Sequence, residues 1–329
     1  MNIVIITDNL KDQVNGVVKT YKSIEKCAQA YGHNIVYLDP GQFKYINCPG
    51  YPEVKLAWPS KFKQKIKALQ PDHIHIATEG PLGVMAKLFC EKYSIKYTTA
   101  YHTKFPEFIK RIYGIPLWIT YPYLKWFHKK SKSIFVNTKS LKEEMIARGF
   151  NKNIILWTRG VSQDIIAERK PSNNNFAKQI LYVGRVSKEK GLDDLCKLQD
   201  KYNITIVGDG PYLKKLKTKY NNVTFTGYKF GKELAKYYAS ADVFCFPSKT
   251  DTFGIVVIEA LCNGTPVAGY NVTGPKDIIE QGVTGFYGNN LEEQIENCYK
   301  LNKLKIRKIS QDKWSWKNCW DIFFKEICK

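Results

Sequence analysis

QILYVGRVSKEKG, residues 179–191, is the stretch on which the reading of the fold turns. An apolar β-type run ends at Gly184, and a short basic loop carrying Arg185 and Lys190 follows it directly. Just before it lies ERKPSNNNFAKQ (168–179), a polar, Pro- and Asn-rich stretch with the composition of a linker. A strand that opens a new module straight after a linker, and closes on a glycine turn, is how a Rossmann-like unit begins.

The N-terminus repeats the pattern. IVIIT (3–7) is an apolar run, and its loop leads to Asn15-Gly16-Val17-Val18. Between the two openings, and after the second, short β-type runs alternate with amphipathic helical stretches. The runs are HIHIA (73–77), KYTTAY (96–101), SIFVNT (133–138), NIILW (153–157), NITIVG (203–208) and DVFCFPS (242–248). Such alternation predicts parallel sheets with helices on both faces. Strands buried on both sides lack a clean period of two, as these do. The expected class is therefore α/β, with two Rossmann-like domains: residues 1–165, then residues 166–313. The aromatic tail WSWKNCWDIFFKEI (314–327) is read as part of a terminal helix, 314–329, that crosses back onto the first domain.

Bulk properties narrow the classes. At 329 residues the chain has room for two cores, and 44% hydrophobic with 25% charged residues is a soluble globular composition. No apolar stretch approaches the ~20 residues of a membrane span. MNIVIITDNL reads as a first strand rather than a signal peptide, so the expected location is cytoplasmic, with room for peripheral attachment to a membrane surface. Nine scattered cysteines without a CxxC pair predict small buried thiols rather than a disulfide framework or a metal site. A formal charge of +21 implies attraction to anions, though a Lys-rich composition throughout is an equal explanation. Nucleic acid is not expected, because the basic residues are spread out and no recognised binding pattern accompanies them.

Three loops carry candidate chemistry. Gly16 lets backbone approach a ligand, and the helix that follows offers free N–H groups to an anion, but taken alone a plain strand-to-helix turn is the favoured reading. The first loop is not a GxGxxG fingerprint, so a dinucleotide site is not supported. Arg185 and Lys190 sit at the C-terminal edge of the second sheet, where doubly wound folds bind ligands. A guanidinium that chelates and an ammonium that acts as a point charge suit a diphosphate, and a solvated basic loop is the plainer alternative. Third, Pro247 to Ala260 places Asp251 in a loop, Thr252, Phe253 and Gly254 at a helix start, and Glu259 within the helix. Carboxylates suit sugar hydroxyls, and the backbone N–H groups near Phe253 and Gly254 suit a phosphate.

The three loops in this order resemble the retaining GT-B glycosyltransferases of family GT4, with Asp251 and Glu259 as a D-x7-E form of the family's E-x7-E motif. The resemblance runs from residue 1 to about residue 287. It is similar to the branch of GDP-mannose-dependent α-mannosyltransferases and sulfoquinovosyl- or glucosyl-diacylglycerol synthases. Supporting segments are Ala77 to Gly83, Tyr101 to Pro106, Arg159-Gly160-Val161, Val207 to Pro211, Tyr238 to Asp242 and Gly274 to Asp277.

The resemblance implies two domains facing across a cleft and a nucleotide-sugar donor, GDP-mannose or a UDP-sugar, with no other cofactor. Arg185 and Lys190 would hold the donor diphosphate, Glu259 the ribose, and Asp251 the transferred sugar. Gly16 and Val17 would bring backbone to the donor, beside Thr252, Phe253 and Gly254. His102 would lie near the sugar hydroxyls or the acceptor, with Glu79, Thr103 and Lys104 on the acceptor side. From its neighbours alone, His102 also reads as a satisfied core histidine. Two positions depart from the family pattern. Asp251 is one methylene shorter than glutamate, a shift of roughly 1–1.5 Å, and Ser162 follows Arg159-Gly160-Val161 where aspartate is usual. Without a DxD motif, and with Arg185 and Lys190 present, the expected transfer is metal-independent and retaining.

The acceptor is expected to be a lipid or a glycan. KFPEFIKRIYGIPLWITYPYLKWFHKKSKS, from residue 104 onward, crowds aromatic and basic residues as an anionic membrane interface requires. An ordinary buried helix pair with a charged outer face is the alternative there. Rival functions are a GT-B-like sugar-nucleotide epimerase or phosphorylase, and a degenerate non-catalytic sugar-nucleotide-binding protein.

Overall fold

The computed structural model describes residues 1–13, 16–49, 51–102, 104–150, 153–168, 178–249 and 253–329. Most of the linker-like stretch, 169–177, lies outside the described residues. The chain packs as two units: Met1–Thr158 with Cys319–Lys329, and Arg159–Asn318.

The first unit holds a parallel sheet formed by β1 (Asn2–Ile6), β2 (Asn34–Leu38), β5 (His73–Ile76), β6 (Tyr97–Tyr101), β7 (Ser133–Val136) and β8 (Asn153–Leu156). A separate antiparallel hairpin, β3 (Lys44–Cys48) with β4 (Tyr51–Trp58), interrupts the series. The sheet order is β2-β1-β5-β6-β7-β8, so the chain reverses direction across the sheet between β1 and β5. On one face Val4, Ile6, Ile74 and Ile76 pack with Leu82 and Ala86 of the helix Pro81–Lys92. Side chains alternate along a strand, so His73 and His75 fall on the other face. There His75 meets Tyr21 of the helix Gly16–Ala30, Trp157 and Phe323 of the C-terminal helix Trp316–Cys328.

The aromatic tail supplies that last contact. Trp320 and Phe323 are fully buried, and Trp157 Nε1 donates to the Cys319 carbonyl at 2.9 Å. Glu326 Oε1 accepts from Ser133 Oγ at 2.5 Å and from Asn153 Nδ2 at 2.8 Å, which ties the helix to β7 and β8.

The second unit holds β9 (Gln179–Val183), β10 (Asn203–Val207), β11 (Thr224–Gly227), β12 (Val243–Phe246), β13 (Val267–Tyr270) and β14 (Gly285–Gly288). All pair in parallel, in the order β11-β10-β9-β12-β13-β14. This is the Rossmann order, with its switch point between β9 and β12. Leu181, Val183, Phe244 and Phe246 line one core, while Ile180, Tyr182, Val243 and Cys245 line the other. Burial on both faces explains why these runs show no polar alternation.

The packing boundary falls at Thr158, before residue 165, for a local reason. Val161 N–H donates to the Trp314 carbonyl at 2.9 Å, and Asn263 Nδ2 donates to the Ile165 carbonyl at 2.8 Å. Residues 159–167 are therefore hydrogen-bonded into the second unit. All nine cysteines are free thiols, most of them buried. Among the described residues no helix is long and apolar enough to cross a membrane.

Candidate donor and acceptor sites

In the second unit the loop after β9 is fastened on two sides. Gly184 N–H donates to the Val207 carbonyl at 3.0 Å, and Val186 N–H to the Asp209 carbonyl at 2.9 Å. A side chain at Gly208 would run into the Gly184 carbonyl, so the Val207-Gly208-Asp209-Gly210-Pro211 segment is glycine-rich because two backbones touch there. Tyr182 Oη donates to the Arg185 carbonyl at 3.1 Å, which fixes the backbone that carries Arg185. The Arg185 side chain itself is exposed and Lys190 half-buried. A turn of 3₁₀-helix, Lys188–Lys190, brings the chain to Gly191 with φ 66°. This is left-handed backbone, and a Cβ there would stand 2.6 Å from the Pro247 carbonyl oxygen.

That contact joins the loop after β9 to the loop after β12, the two strands that flank the switch point. Asp251 and Thr252 lie outside the described residues. Beyond them Phe253 is buried against Trp314, and Gly254 begins the helix Ile255–Cys262. The first N–H groups of that helix have no partner within it and issue at the same sheet edge. Glu259, only 4% exposed, accepts from Tyr238 Oη at 2.9 Å, and burial beside this carboxylate holds the Tyr238 phenol well above its ordinary range. Arg185, Lys190, Phe253, Gly254 and Glu259 are thus brought together at one switch point.

The other candidates belong to the first unit, at the C-terminal edge of its sheet. Gly16 is the exposed first residue of the helix Gly16–Ala30 and Val17 its half-buried second, while Thr20 Oγ1 donates to the Gly16 carbonyl at 2.7 Å. Glu79 follows β5 in a loop organised by Asp8. The Asp8 carboxyl accepts from Thr78 Oγ1 at 2.7 Å and from Leu82 N–H at 2.8 Å. Burial raises Asp8 to about 6 and Glu79 to about 8, so the Glu79 carboxyl is largely protonated at neutral pH. Its Oε1 lies 3.8 Å from His128 Nε2, and burial lowers that imidazole to about 3, leaving two neutral groups. Tyr123 Oη donates to the Glu79 carbonyl.

His102 stands just past β6, nearly buried, with Nε2 2.9 Å from Tyr21 Oη. Thr103 lies outside the described residues. Lys104 precedes the helix Phe105–Tyr113, and its Nζ donates to Glu144 Oε2 at 2.7 Å. The sequence reading gave no individual role to Asp8, Tyr21, His75, His128 or Tyr238, although Tyr238 opens one of the segments that carry the resemblance. Only the two histidines inside the apolar run HIHIA offered a signal, since a buried polar side chain in a strand needs a partner.

With this geometry in place, the chain can be set beside known proteins. Residues 15–164 match Glycosyltransferase Family 4, and residues 164–308 match Glycosyl transferases group 1. The chain is 31% identical over 321 residues to a sulfoquinovosyl transferase of Arabidopsis thaliana, covering 90% of this chain and 60% of that protein. It is 28% identical to a GDP-mannose-dependent alpha-mannosyltransferase of Corynebacterium glutamicum, over 87% of this chain and 76% of the other. An alpha-monoglucosyldiacylglycerol synthase of Streptococcus pneumoniae is 25% identical over 88% of this chain and 76% of its own length.

Among solved structures, sucrose-phosphate synthase from Thermosynechococcus elongatus has a TM-score of 0.77 at 17% identity, covering 98% of this chain and 97% of its own. Anabaena HepE in complex with UDP has a TM-score of 0.72 at 16% identity, covering 100% of both chains. The chain belongs to glycosyltransferase family 4 and has the GT-B fold.

Proposed function

We propose that this chain transfers a hexosyl group from a nucleotide-sugar to a lipid or glycan acceptor, with retention of anomeric configuration and without a divalent metal. GDP-mannose is the first donor to test, following the name of the Corynebacterium relative, and UDP-glucose and other UDP-sugars come next. One observation carries the reading. The loop after β9, which carries Arg185 and Lys190, and the loop after β12, which leads to the helix Ile255–Cys262, touch at the switch point through the Gly191–Pro247 contact.

In this mechanism Arg185 chelates the donor diphosphate and Lys190 adds a point charge. The bond from the anomeric carbon to the phosphate oxygen breaks while the acceptor oxygen bonds that carbon on the same face. The acceptor's proton passes to the departing diphosphate. The cations and helix N–H groups are pre-set for the charge that develops there, which is how such sites lower a barrier. Glu259, oriented by Tyr238, accepts from the ribose, and Asp251 and Thr252 receive the sugar beside Phe253 and Gly254. Gly16 and Val17 add backbone donors. His102 hydrogen-bonds the sugar or the acceptor, and Glu79, Thr103 and Lys104 shape the acceptor side.

A lipid acceptor is the first choice, in line with the name of the Streptococcus relative. The helix Leu117–His128 exposes Trp118 and Ile119, with Trp118 76% exposed, and the connection that precedes it exposes Ile115. Lys125, Lys129 and Lys130 are exposed nearby in the chain. An exposed indole with flanking lysines suits the headgroup region of an anionic bilayer, so we place the enzyme peripherally on a membrane.

The test is a transfer assay with labelled GDP-mannose and UDP-glucose against diacylglycerol, lipid-linked and free glycan acceptors. Transfer from one donor to an α-linked product, unaffected by EDTA, is expected. Loss of turnover in EDTA with rescue by magnesium would refute metal independence. Consumption of the donor with no acceptor present would point to epimerase- or phosphorylase-type chemistry.

A further inference from the structure

At the C-terminal edge of the second sheet three polar side chains meet that the proposed mechanism does not use. Asp194 lies in the short helix Leu192–Cys196 after Gly191, Lys249 lies in the loop after β12, and Tyr270 is the last residue of β13. Tyr270 Oη donates to Asp194 Oδ2 at 2.8 Å, and Lys249 Nζ lies 3.5 Å from the same oxygen. The Lys249 ammonium also stands over the Tyr270 ring, 4.1 Å from its centroid. Lys197 Nζ is 4.0 Å from the other oxygen, Asp194 Oδ1. Because β9, β12 and β13 are neighbours in the sheet, the triangle joins the segments that leave three adjacent strands.

An exposed ion pair by itself holds a lysine weakly, since water screens it and a long side chain resists ordering. Lys249 is held from two sides, by a carboxylate and by an aromatic face, and the phenol hydrogen bond fixes those two to each other. Burial and the adjacent carboxylate hold the Tyr270 phenol above its ordinary range, so it stays a donor at neutral pH. The Lys249 charge faces Asp194, which suits an anchor better than a phosphate ligand. Asp194 N–H also donates to the Gly191 carbonyl at 3.0 Å. The segment from Pro247 to Lys249 is therefore gripped at both ends by one short stretch, at Pro247 by Gly191 and at Lys249 by Asp194.

We infer that Asp194 and Tyr270 are positioning residues for the sugar of the donor. They hold Lys249, and with it the end of the loop from which the chain passes to Asp251, separately from the diphosphate contacts given to Arg185 and Lys190. The inference rests on the reading of Asp251 as the residue that receives the sugar. A misplacement of about 1 Å at such a residue costs on the order of 100-fold in rate, so a loosened anchor is felt in transfer before it is felt in nucleotide binding.

The experiment compares the full-length protein with Tyr270→Phe, Asp194→Asn, Lys249→Met and Lys249→Arg, each checked for folding by thermal unfolding. Calorimetry gives the affinities for GDP and GDP-mannose, and for UDP and UDP-glucose, so the contribution of the sugar is read without turnover. Transfer assays with the same donors give kcat and KM. In Tyr270→Phe, Asp194→Asn and Lys249→Met the nucleotide diphosphate should bind within about twofold of its affinity for the unmodified protein. The difference in affinity between nucleotide and sugar conjugate should shrink, and kcat should fall about tenfold, a part of the full misplacement effect. Lys249→Arg, which keeps the charge and the ring contact, should restore most of both. Loss of nucleotide affinity in step with kcat would overturn the inference. So would folded variants in which neither the sugar's contribution nor kcat changes. If the anchor variants alter that contribution and Asp251→Ala does not, the anchor stands and the role given to Asp251 in the proposed function falls.

Discussion

Gly191 and Pro247 touch through their backbones: a Cβ on residue 191 would stand 2.6 Å from the Pro247 carbonyl oxygen. The contact spans the point at which the second sheet reverses its strand order, and it brings the basic loop beside the helix that carries Glu259. Replacement by alanine meets two penalties. The left-handed φ of 66° costs about 1–2 kcal/mol in a residue with a Cβ, and the clash adds to it. Gly191→Ala should lower stability by about 2 kcal/mol or more in urea denaturation and weaken nucleotide binding by at least tenfold. Unchanged binding would show that the two loops act independently.

Tyr238 and Glu259 form a buried pair in which only the phenol donates. Tyr238→Phe removes a donor from a carboxylate that cannot reach water freely. The expected loss is about 1–3 kcal/mol, read from the denaturation midpoint at unchanged m-value. A loss below 0.5 kcal/mol, roughly that of a surface change, would mean that Tyr238 does not hold this carboxylate.

The first unit makes opposite demands at low and high pH. His73, His75 and His128 are held neutral by burial, with His73 lowered to about 4 and His128 to about 3. The unfolded chain binds protons on these rings first, so stability should fall as pH drops from about 6.5 toward 4. Glu79 has the reverse sign. Its folded value is raised from 4.5 to about 8, so its contribution is complete below pH 4.5 and is lost as pH rises through 8. The stability difference between the unmodified protein and Glu79→Gln should therefore shrink, then change sign or grow unfavourable, across that window, by a few kcal/mol in all. A difference that does not vary with pH would show that Glu79 is already ionised in the fold.

Membrane attachment makes a separate prediction. Trp118→Ala with Ile119→Ser removes exposed apolar surface and should cost little stability, because neither side chain is buried. Co-sedimentation with anionic vesicles should fall at least fivefold in the double variant. Equal sedimentation of both proteins would place the membrane surface elsewhere, and no binding at low salt would leave soluble glycans as acceptors.

How much of this was legible in sequence varies with the distance over which a residue acts. Strands β1, β5 to β10 and β12 were readable as short β-type runs, whereas β2, the β3–β4 hairpin, β11, β13 and β14 were not singled out. The first sheet also buries His73, His75, Thr98 and Thr99 within its strands. The loop from Gly184 to Gly191 was readable because strand, glycine and cations are contiguous. The partnerships were not. Tyr21 is an ordinary helix position until the helix is laid on the sheet above His75, and Asp8 closes the Glu79 loop across 70 residues or more. Lys104 was read as an acceptor-side residue, and the fold gives it an ion pair with Glu144 forty residues away. Asn263, whose side chain accepts from Ala167 N–H and donates to the Ile165 carbonyl, carries no sequence signal at all.

The most direct measurement is thermal unfolding in the presence of GDP, UDP, ADP and their sugar conjugates, for the unmodified protein and for Arg185→Ala. A ligand that binds only the folded chain stabilises it by about 2.7 kcal/mol at one hundred times its dissociation constant. One nucleotide diphosphate and its sugar conjugate should raise the midpoint of the unmodified protein by several degrees, and Arg185→Ala should abolish most of that rise. No stabilisation by any nucleotide, or the same stabilisation in Arg185→Ala, would contradict a donor site at the β9–β12 switch point.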